Sequence, residues 1–403
     1  MNFKLLKKLI ASMSIVSIFF TFVYVYGQAT DKMKDELNKQ KESNRKSLAE
    51  LKEKLKALET EVKEKNYSFK VALTEAMKYE LEQLAGTRPP QLNMSSTNQN
   101  AIKRLKMESK RRKLKKKVKS DEYEILDESG YYEEEEELPE EFADLIDYSN
   151  DVDPNPPDND GYIDTPTKPE KNTSKCSVDL PKWDWRSEGK VTPVKFQGGC
   201  GSCWAFTANA VVESAYAIAN NKTIDLSEQQ VLNCSKAGTC NGGWYEGAFS
   251  FMGMKSALVA GKNSGILENF EPYKGKDLRC SSFTPTTYQT LAWGYVGTSS
   301  KANVKEIKQA LCKYGPLATA MYATPMFQAY KSGVFNEKIR LGANDVNHAV
   351  VIVGWDDKLN AYLIKNSWSA QWGQEGYIWM DYRANNVGYG TMWVVARKES
   401  AGK

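Results

Sequence analysis

Histidine is almost missing from this chain of 403 residues: the single one is His348. Cysteine is confined, with seven residues and none before Cys176. A zinc centre draws on several His, Cys or carboxylate ligands at close spacing. With one His, no metal site is expected, and no other cofactor is implied. The Gly-rich phosphate loop ending in Lys and Ser or Thr is also absent. Residues 28–175 are mostly charged and polar, so little of a core can be built there. The net charge of +4 is too small to draw the whole chain to a polyanion.

What is present is segregated along the chain. Lys4, Lys7 and Lys8 precede an uncharged, largely apolar run from Leu9 to about Val25. That pattern reads as a secretory signal over residues 1–29. An uncleaved membrane anchor or a buried helix are the alternatives. Residues 30–102 read as a segment with helical character. Leu48, Leu51, Leu55, Leu58 and Val62 make one narrow apolar stripe at helical spacing. Asn66 to Lys78 reads as a strand running into a helix. Residues 103–175 read as a charged, largely disordered linker. Its 103–119 stretch carries eleven Lys or Arg and one acid, and 121–160 is acidic. A solvated linker, a charge-paired activation segment and a nucleic-acid contact are the readings open. The lack of interleaved aromatics counts against the last.

Residues 176–403 hold the aromatics, glycines and aliphatics of a real core. Helical patterns cover 203–219, 226–233 and 245–258, with Ser227 a natural N-cap. Strand patterns then follow at 288–297, 317–323, 348–355, 361–366 and 376–382, with one helix near 301–313. A helical half followed by a strand-rich half is an α+β class.

The chain is organised around Gln197-Gly198-Gly199-Cys200-Gly201-Ser202-Cys203-Trp204. Glycines give way to an Ala-rich helical run, which sets Cys203 on the first turn of a helix. Unpaired N–H groups there favour a thiolate, the nucleophilic form of cysteine. Any imidazole that deprotonates it must be His348.

Cys200-Gly201-Ser202-Cys203-Trp204 resembles the signature of papain-like cysteine proteases. Asp184-Trp185-Arg186, Cys240-Asn241-Gly242-Gly243, Asn347-His348-Ala349 and Asn366-Ser367-Trp368 resemble the same family's other motifs, in the same order. The resemblance implies a papain-like two-lobed fold with a cleft between helical and strand-rich lobes, preceded by a helical pro-region at 30–102. It implies Cys203, His348, Asn366 and Gln197 as catalytic residues, with Trp368 shielding the His–Asn pair. It implies Gly243, Trp244, Tyr245, Asn347, Ala349 and Trp372 as substrate contacts, and an apolar pocket at Trp244 and Tyr245. It also implies disulfides Cys200–Cys240 and Cys234–Cys280. Cys176 and Cys312 are left, either bridged or, if Cys176 is cut away with the pro-region, with Cys312 a buried thiol.

The pro-region would then act as an intramolecular inhibitor. Its strand does not retain the family's pattern, since Ala72, Thr74, Ala76 and Lys78 stand where Gly, Asn, Phe and Asp are usual. Departures in the catalytic part are Asn347 for Asp, Ser369 for Gly and Phe196 for Asn. The expected function is a cysteine endopeptidase acting on peptide and protein substrates, secreted as a monomeric zymogen. No nucleic-acid partner is expected, and a membrane only if the N-terminal segment stays uncleaved. The location would be extracellular, periplasmic or a lysosome-like compartment. A non-catalytic member of the fold and a peptide ligase are the other classes.

Overall fold

The computed structural model describes residues 48–121, 176–253 and 264–399, with side chains omitted for 111–121. The N-terminal apolar run and the acidic stretch lie outside the described residues. Two compact units are present, one of residues up to 105 together with 176–403, the other of 106–175. Among the described residues no helix is long and apolar enough to cross a membrane.

In the first unit, helix α1 covers residues 48–64. Of its apolar stripe, Leu51 is buried against Met77 and Ala329 while Leu48 stays exposed. Strand β1 (Phe69–Val71) follows, then a short 3-10 turn at Glu75–Lys78 and helix α2 (Leu81–Leu84). Helix α3 (Met94–Asp121) crosses the expected boundary at 102 without a break. No Gly or Pro occurs in it, and its Lys and Arg are good helix formers, so the basic run is helical as far as Asp121.

Helix α4 (Cys203–Asn220) has every residue from Cys203 to Ala217 buried. Such a helix needs apolar or small residues on all sides, as its Ala-rich sequence supplies. Asn221 ends it in the left-handed conformation, with φ 52°. Helix α5 (Glu228–Cys234) is capped by Ser227, whose hydroxyl accepts from Gln230 N–H. Helix α6 (Tyr245–Phe251) completes this half.

The strand-rich half is one large sheet in the order β1-β7-β10-β9-β8-β6-β11-β5. Its members are β5 (Thr290–Tyr295), β6 (Leu317–Met321), β7 (Tyr330–Phe335), β8 (His348–Asp356), β9 (Ala361–Lys365), β10 (Tyr377–Asp381) and β11 (Tyr389–Ala396). Strand β2 (Lys182–Asp184) pairs with β8, and a small ribbon joins β3 (Gly238–Thr239) to β4 (Gly242–Gly243). Helices α7 (Val304–Tyr314) and α8 (Pro325–Gln328) complete the unit. Strand β8 is buried at all nine positions, which its uninterrupted apolar run requires. Strands β7 and β11 were not foreseen, because Lys331, Ser332 and Gly333 in one and Gly390 in the other blur the strand pattern. The pro-region contributes β1 to this sheet, with Phe69 opposite Gly333 in antiparallel register.

Three disulfides are formed: Cys200–Cys240, Cys234–Cys280 and Cys176–Cys312, with Cα separations of 4.6, 4.8 and 5.2 Å. The last ties residue 176 to α7. Cys203 is the free thiol.

A buried ionic chain fastens the lead-in segment to α4. Lys195 Nζ meets Glu213, Glu228 and Asp225 at 3.3, 2.7 and 2.6 Å. Glu213 also accepts from the Thr192 hydroxyl and from Leu226 N–H. Lys365 donates to Thr192 at 3.0 Å, and burial lowers its pKa to about 8. Removing one partner of such a set strands the others in a dry interior. Glu213→Ala is therefore expected to lower the unfolding free energy by about 3–5 kcal/mol, read as a shifted urea midpoint. An unchanged midpoint would show that the cluster contributes nothing to stability.

Candidate active site

Four groups converge where α4 meets β8. Cys203 opens α4 and is wholly buried. Gly201 N–H donates to the Cys240 carbonyl at 2.8 Å, which fixes the backbone just before the helix. A Cβ on Gly201 would stand 2.5 Å from that carbonyl oxygen, so only glycine fits.

His348 begins β8 and is also fully buried. Its Nε2 lies 2.8 Å from Asn366 Oδ1, just beyond the end of β9. Trp368 stacks obliquely on the imidazole with centroids 4.6 Å apart, and Phe327 approaches from another side at 5.9 Å. Both keep water from the His348–Asn366 pair.

Gln197 is buried, with Nε2 donating to the carbonyls of Leu84 and Cys200 at 3.0 and 2.8 Å. Ser367 Oγ donates to Gln197 Oε1 at 2.7 Å and so sets which end of the amide faces the site. Ser367 entered the sequence reading only as the middle residue of the Asn366-Ser367-Trp368 motif and was given no role, since nothing local signals this contact.

The site is covered by the chain's own pro-region. Thr87 Oγ1 sits 3.3 Å from Cys203 Sγ. Gly243 N–H donates to Gly86 O at 2.8 Å and Gly243 O accepts from Arg88 N–H at 2.9 Å, a parallel pairing. Thr87 N–H donates to the Asn347 carbonyl at 2.7 Å. Gly86 lies so close to Gly201 that an added Cβ would fall 1.9 Å from its carbonyl oxygen. The segment Gly86-Thr87-Arg88-Pro89-Pro90 was not singled out from sequence. Its one clue is a glycine followed shortly by two prolines.

The other sequence candidates lie around this segment. The Asn347 side chain is tied to Ala323, accepting from its N–H and donating to its carbonyl at 2.6 and 3.0 Å, so its backbone carbonyl is what faces the cleft. Ala349 is buried next to His348 on β8, one of the groups lining the space behind α4. Tyr245 is fully buried with its hydroxyl bound to Gly390 O. Trp372 donates its ring N–H to Gln328 O at 3.1 Å, and the pro-region's Ala76 and Tyr79 carbonyls accept from Gln328 Nε2 at 2.7 and 2.9 Å. Trp244 lines a cavity of about 580 Å³. Glu246, Arg88 and Arg104 line it with Trp244, whereas Tyr245, the other residue of the expected apolar pocket, does not. Glu246 stands two residues past Trp244 on the first turn of α6, while Arg88 and Arg104 come from the distant pro-region.

Burial sets the electrostatics. It pushes the Cys203 thiol up, against an opposing hydrogen bond from Thr87. It lowers His348 to about 4, against the Asn366 bond. The covered pair is thus thiol and neutral imidazole rather than an ion pair.

Residues 180–397 match the family described as papain family cysteine protease. Thiol protease aleurain from Arabidopsis thaliana is 39% identical over 215 residues, 52% of this chain and 57% of its own length. Pro-cathepsin H from Mus musculus is 38% identical over 213 residues, 51% of this chain and 61% of its own. The match thus spans about three fifths of these relatives. Among solved structures, a bromelain protease from Ananas comosus in complex with the E64 inhibitor is 34% identical, covering 54% of this chain and all of that one, with a TM-score of 0.48.

Covered His348 titrates below an ordinary imidazole, so between about pH 6.5 and 4 a proton binds the uncovered form and not the covered one. Acid in that window should therefore favour uncovering, and neutral pH should hold the site closed. Alkylation of Cys203 in the full chain should be slow at pH 7. The fraction uncovered, read by protease sensitivity at residues 79–90, should rise as pH falls to 4. Gly86→Ala should speed alkylation at pH 7 about tenfold or more, and an unchanged rate would refute the steric account.

Proposed function

We propose, from the premise that this chain belongs to the papain family of cysteine proteases, that it is a cysteine endopeptidase made in latent form. The observation that carries this reading is the meeting of Cys203, His348–Asn366 and Gln197 in one site, with Thr87 of the same chain resting on the sulfur.

With the pro-segment gone, the thiol and imidazole regain solvent and become a thiolate–imidazolium pair. The helix N-terminus favours the thiolate, and Asn366 holds the ring while accepting its second N–H. The thiolate attacks the scissile carbonyl carbon. Negative charge develops on the carbonyl oxygen, where the Gln197 amide and the Cys203 backbone N–H donate. In the covered state Gln197 spends the same N–H on the Leu84 carbonyl, so the pro-segment occupies this donor. His348 then gives its proton to the leaving amine, leaving an acyl-enzyme thioester. Water, deprotonated by His348, attacks the thioester and releases the acid and the free thiol.

Internal cleavage is supported by the path of the pro-segment. It passes the sulfur with residues 74–79 on the side of Gln328 and Trp372, and with Arg88 onward on the side of Gly243. A cleft that takes chain on both sides of the nucleophile suits an endopeptidase. Substrate would lie against Gly243 by the same backbone bonds that hold Gly86 and Arg88, a form of strand addition. The parallel sense of the pro-segment keeps its own peptide bonds from the productive geometry. The three disulfides and the N-terminal apolar run support an oxidising, extracytoplasmic location. The Cys176 bridge to α7 supports processing ahead of residue 176.

The test is kinetic. Processed wild-type chain should hydrolyse peptides and be labelled on Cys203 by a thiol-directed epoxide. Cys203→Ala should abolish turnover. Gln197→Ala should reduce kcat by about 10²–10³ while leaving Cys203 alkylation intact. Full activity in Cys203→Ala would overturn the reading.

A further inference from the structure

Beyond Gly243, the face formed by β5 and the start of α6 is built around an acid whose hydrogen-bond partners are neutral hydroxyls. Glu246 is half-buried. Its two oxygens accept from the Thr97 and Tyr295 hydroxyls, both at 2.8 Å. Among the described residues it has no ion-pair partner. Tyr295 also takes the Trp244 ring N–H at 3.2 Å, so acid, phenol and indole form one rigid wall. Beside it stands Trp293, with the Arg104 guanidinium 3.9 Å over its ring. Residues 94–105 of α3, with Arg88, Pro89 and Pro90 ahead of it, meet this wall from outside. Asn98 Oδ1 accepts from Tyr295 N–H at 2.7 Å, made possible by Gly294 beneath it. Arg88 lines the same cavity and reaches the Asn241 carbonyl at 2.6 Å.

All of these covering residues leave with the pro-region. Trp293 and Trp244 are then uncovered, and Glu246 loses the Thr97 hydroxyl. What remains is an aromatic ring and an adjacent carboxylate on the same wall, a pairing that suits a planar cation: the ring attracts its face and the acid its N–H edge. We infer that the Trp293–Glu246 wall is an extended substrate subsite that selects an arginine on the acyl side of the scissile bond, past the residue paired with Gly243. In the latent chain the pro-region's own Arg104 lies over the Trp293 ring, and Arg88 lines the same cavity. The inference rests on the peptidase reading and adds a specificity that the family resemblance, with its apolar pocket, does not contain.

The experiment uses the full chain after processing, and two peptide sets. A short set reaches only to the residue paired with Gly243. A longer set places Arg, citrulline, Leu or Glu at the third, fourth or fifth residue before the cut. At one of these positions Arg should exceed citrulline in kcat/KM by about 5–10-fold, Glu should be the poorest, and the Arg advantage should shrink in 0.5 M salt. The Arg-to-citrulline ratio should fall to about one in Glu246→Gln. As a readout apart from turnover, the Arg peptide should bind thiol-blocked processed chain more tightly than its citrulline form, by fluorescence anisotropy. Equal rates and equal binding for Arg and citrulline at all three positions overturn the inference. Failure to cleave even the short set would instead overturn the peptidase reading, and the binding comparison would still decide this one.

Discussion

Burial of the Cys203 sulfur beneath Gly86 and Thr87 is the constraint on which the rest of this molecule depends. The sulfur lies at the first turn of a helix that is buried on every side, where the helical half meets the sheet. Covering it removes water from the thiol, the imidazole and the Gln197 amide at once. That is why the thiol is pushed up and the imidazole down. One short stretch of chain thus alters the protonation state of a pair with which it shares a single side-chain contact. The close approach is possible because Gly86 lies directly against Gly201 and its carbonyl oxygen against Gly242, where no Cβ would fit.

The pro-region holds that stretch in place from both ends. Upstream, Phe69 is buried against Phe335 with ring centroids 4.6 Å apart, and β1 extends the large sheet. Downstream, residues 94–105 grip β5 and α6 through polar contacts and one stacked guanidinium. A flexible segment of five residues would gain too little from three backbone hydrogen bonds to stay ordered over the cleft. Anchored at both ends, it loses little further entropy on lying there. The grip is therefore a property of the whole pro-region, though its chemical effect falls on one sulfur.

The catalytic half is stiffened in a different way. Lys195, Glu213, Glu228 and Lys365 form an enclosed cluster of ionisable groups beside Asn366 and α4. Charges in such a place demand fixed geometry, because a partner that moves away leaves an uncompensated charge in a medium that solvates it poorly. The disulfides Cys200–Cys240 and Cys234–Cys280 add covalent limits around the loop before Cys203. Helix start, loop and imidazole strand are thereby held in register.

Some of this was legible along the chain. Cys203 on the first helical turn, Ser227 as an N-cap, the buried run of β8 and the order of the Cys, His and Asn motifs all follow from local residue choice. Local choice also made His348 the only imidazole available. The tertiary structure alone decided the rest. It set Thr87 on the sulfur, brought Ser367 to orient Gln197, turned the Asn347 side chain toward Ala323, and placed Glu246 and Trp293 on one wall under Arg104. Strand β1 found β7 across more than two hundred residues, and α3 continued where a disordered linker was expected. Periodicity and capping act over a few residues, so they declare elements and their ends. Which elements touch is settled by the packing of distant surfaces, and the contacts that cover and tune this site are all of that distant kind.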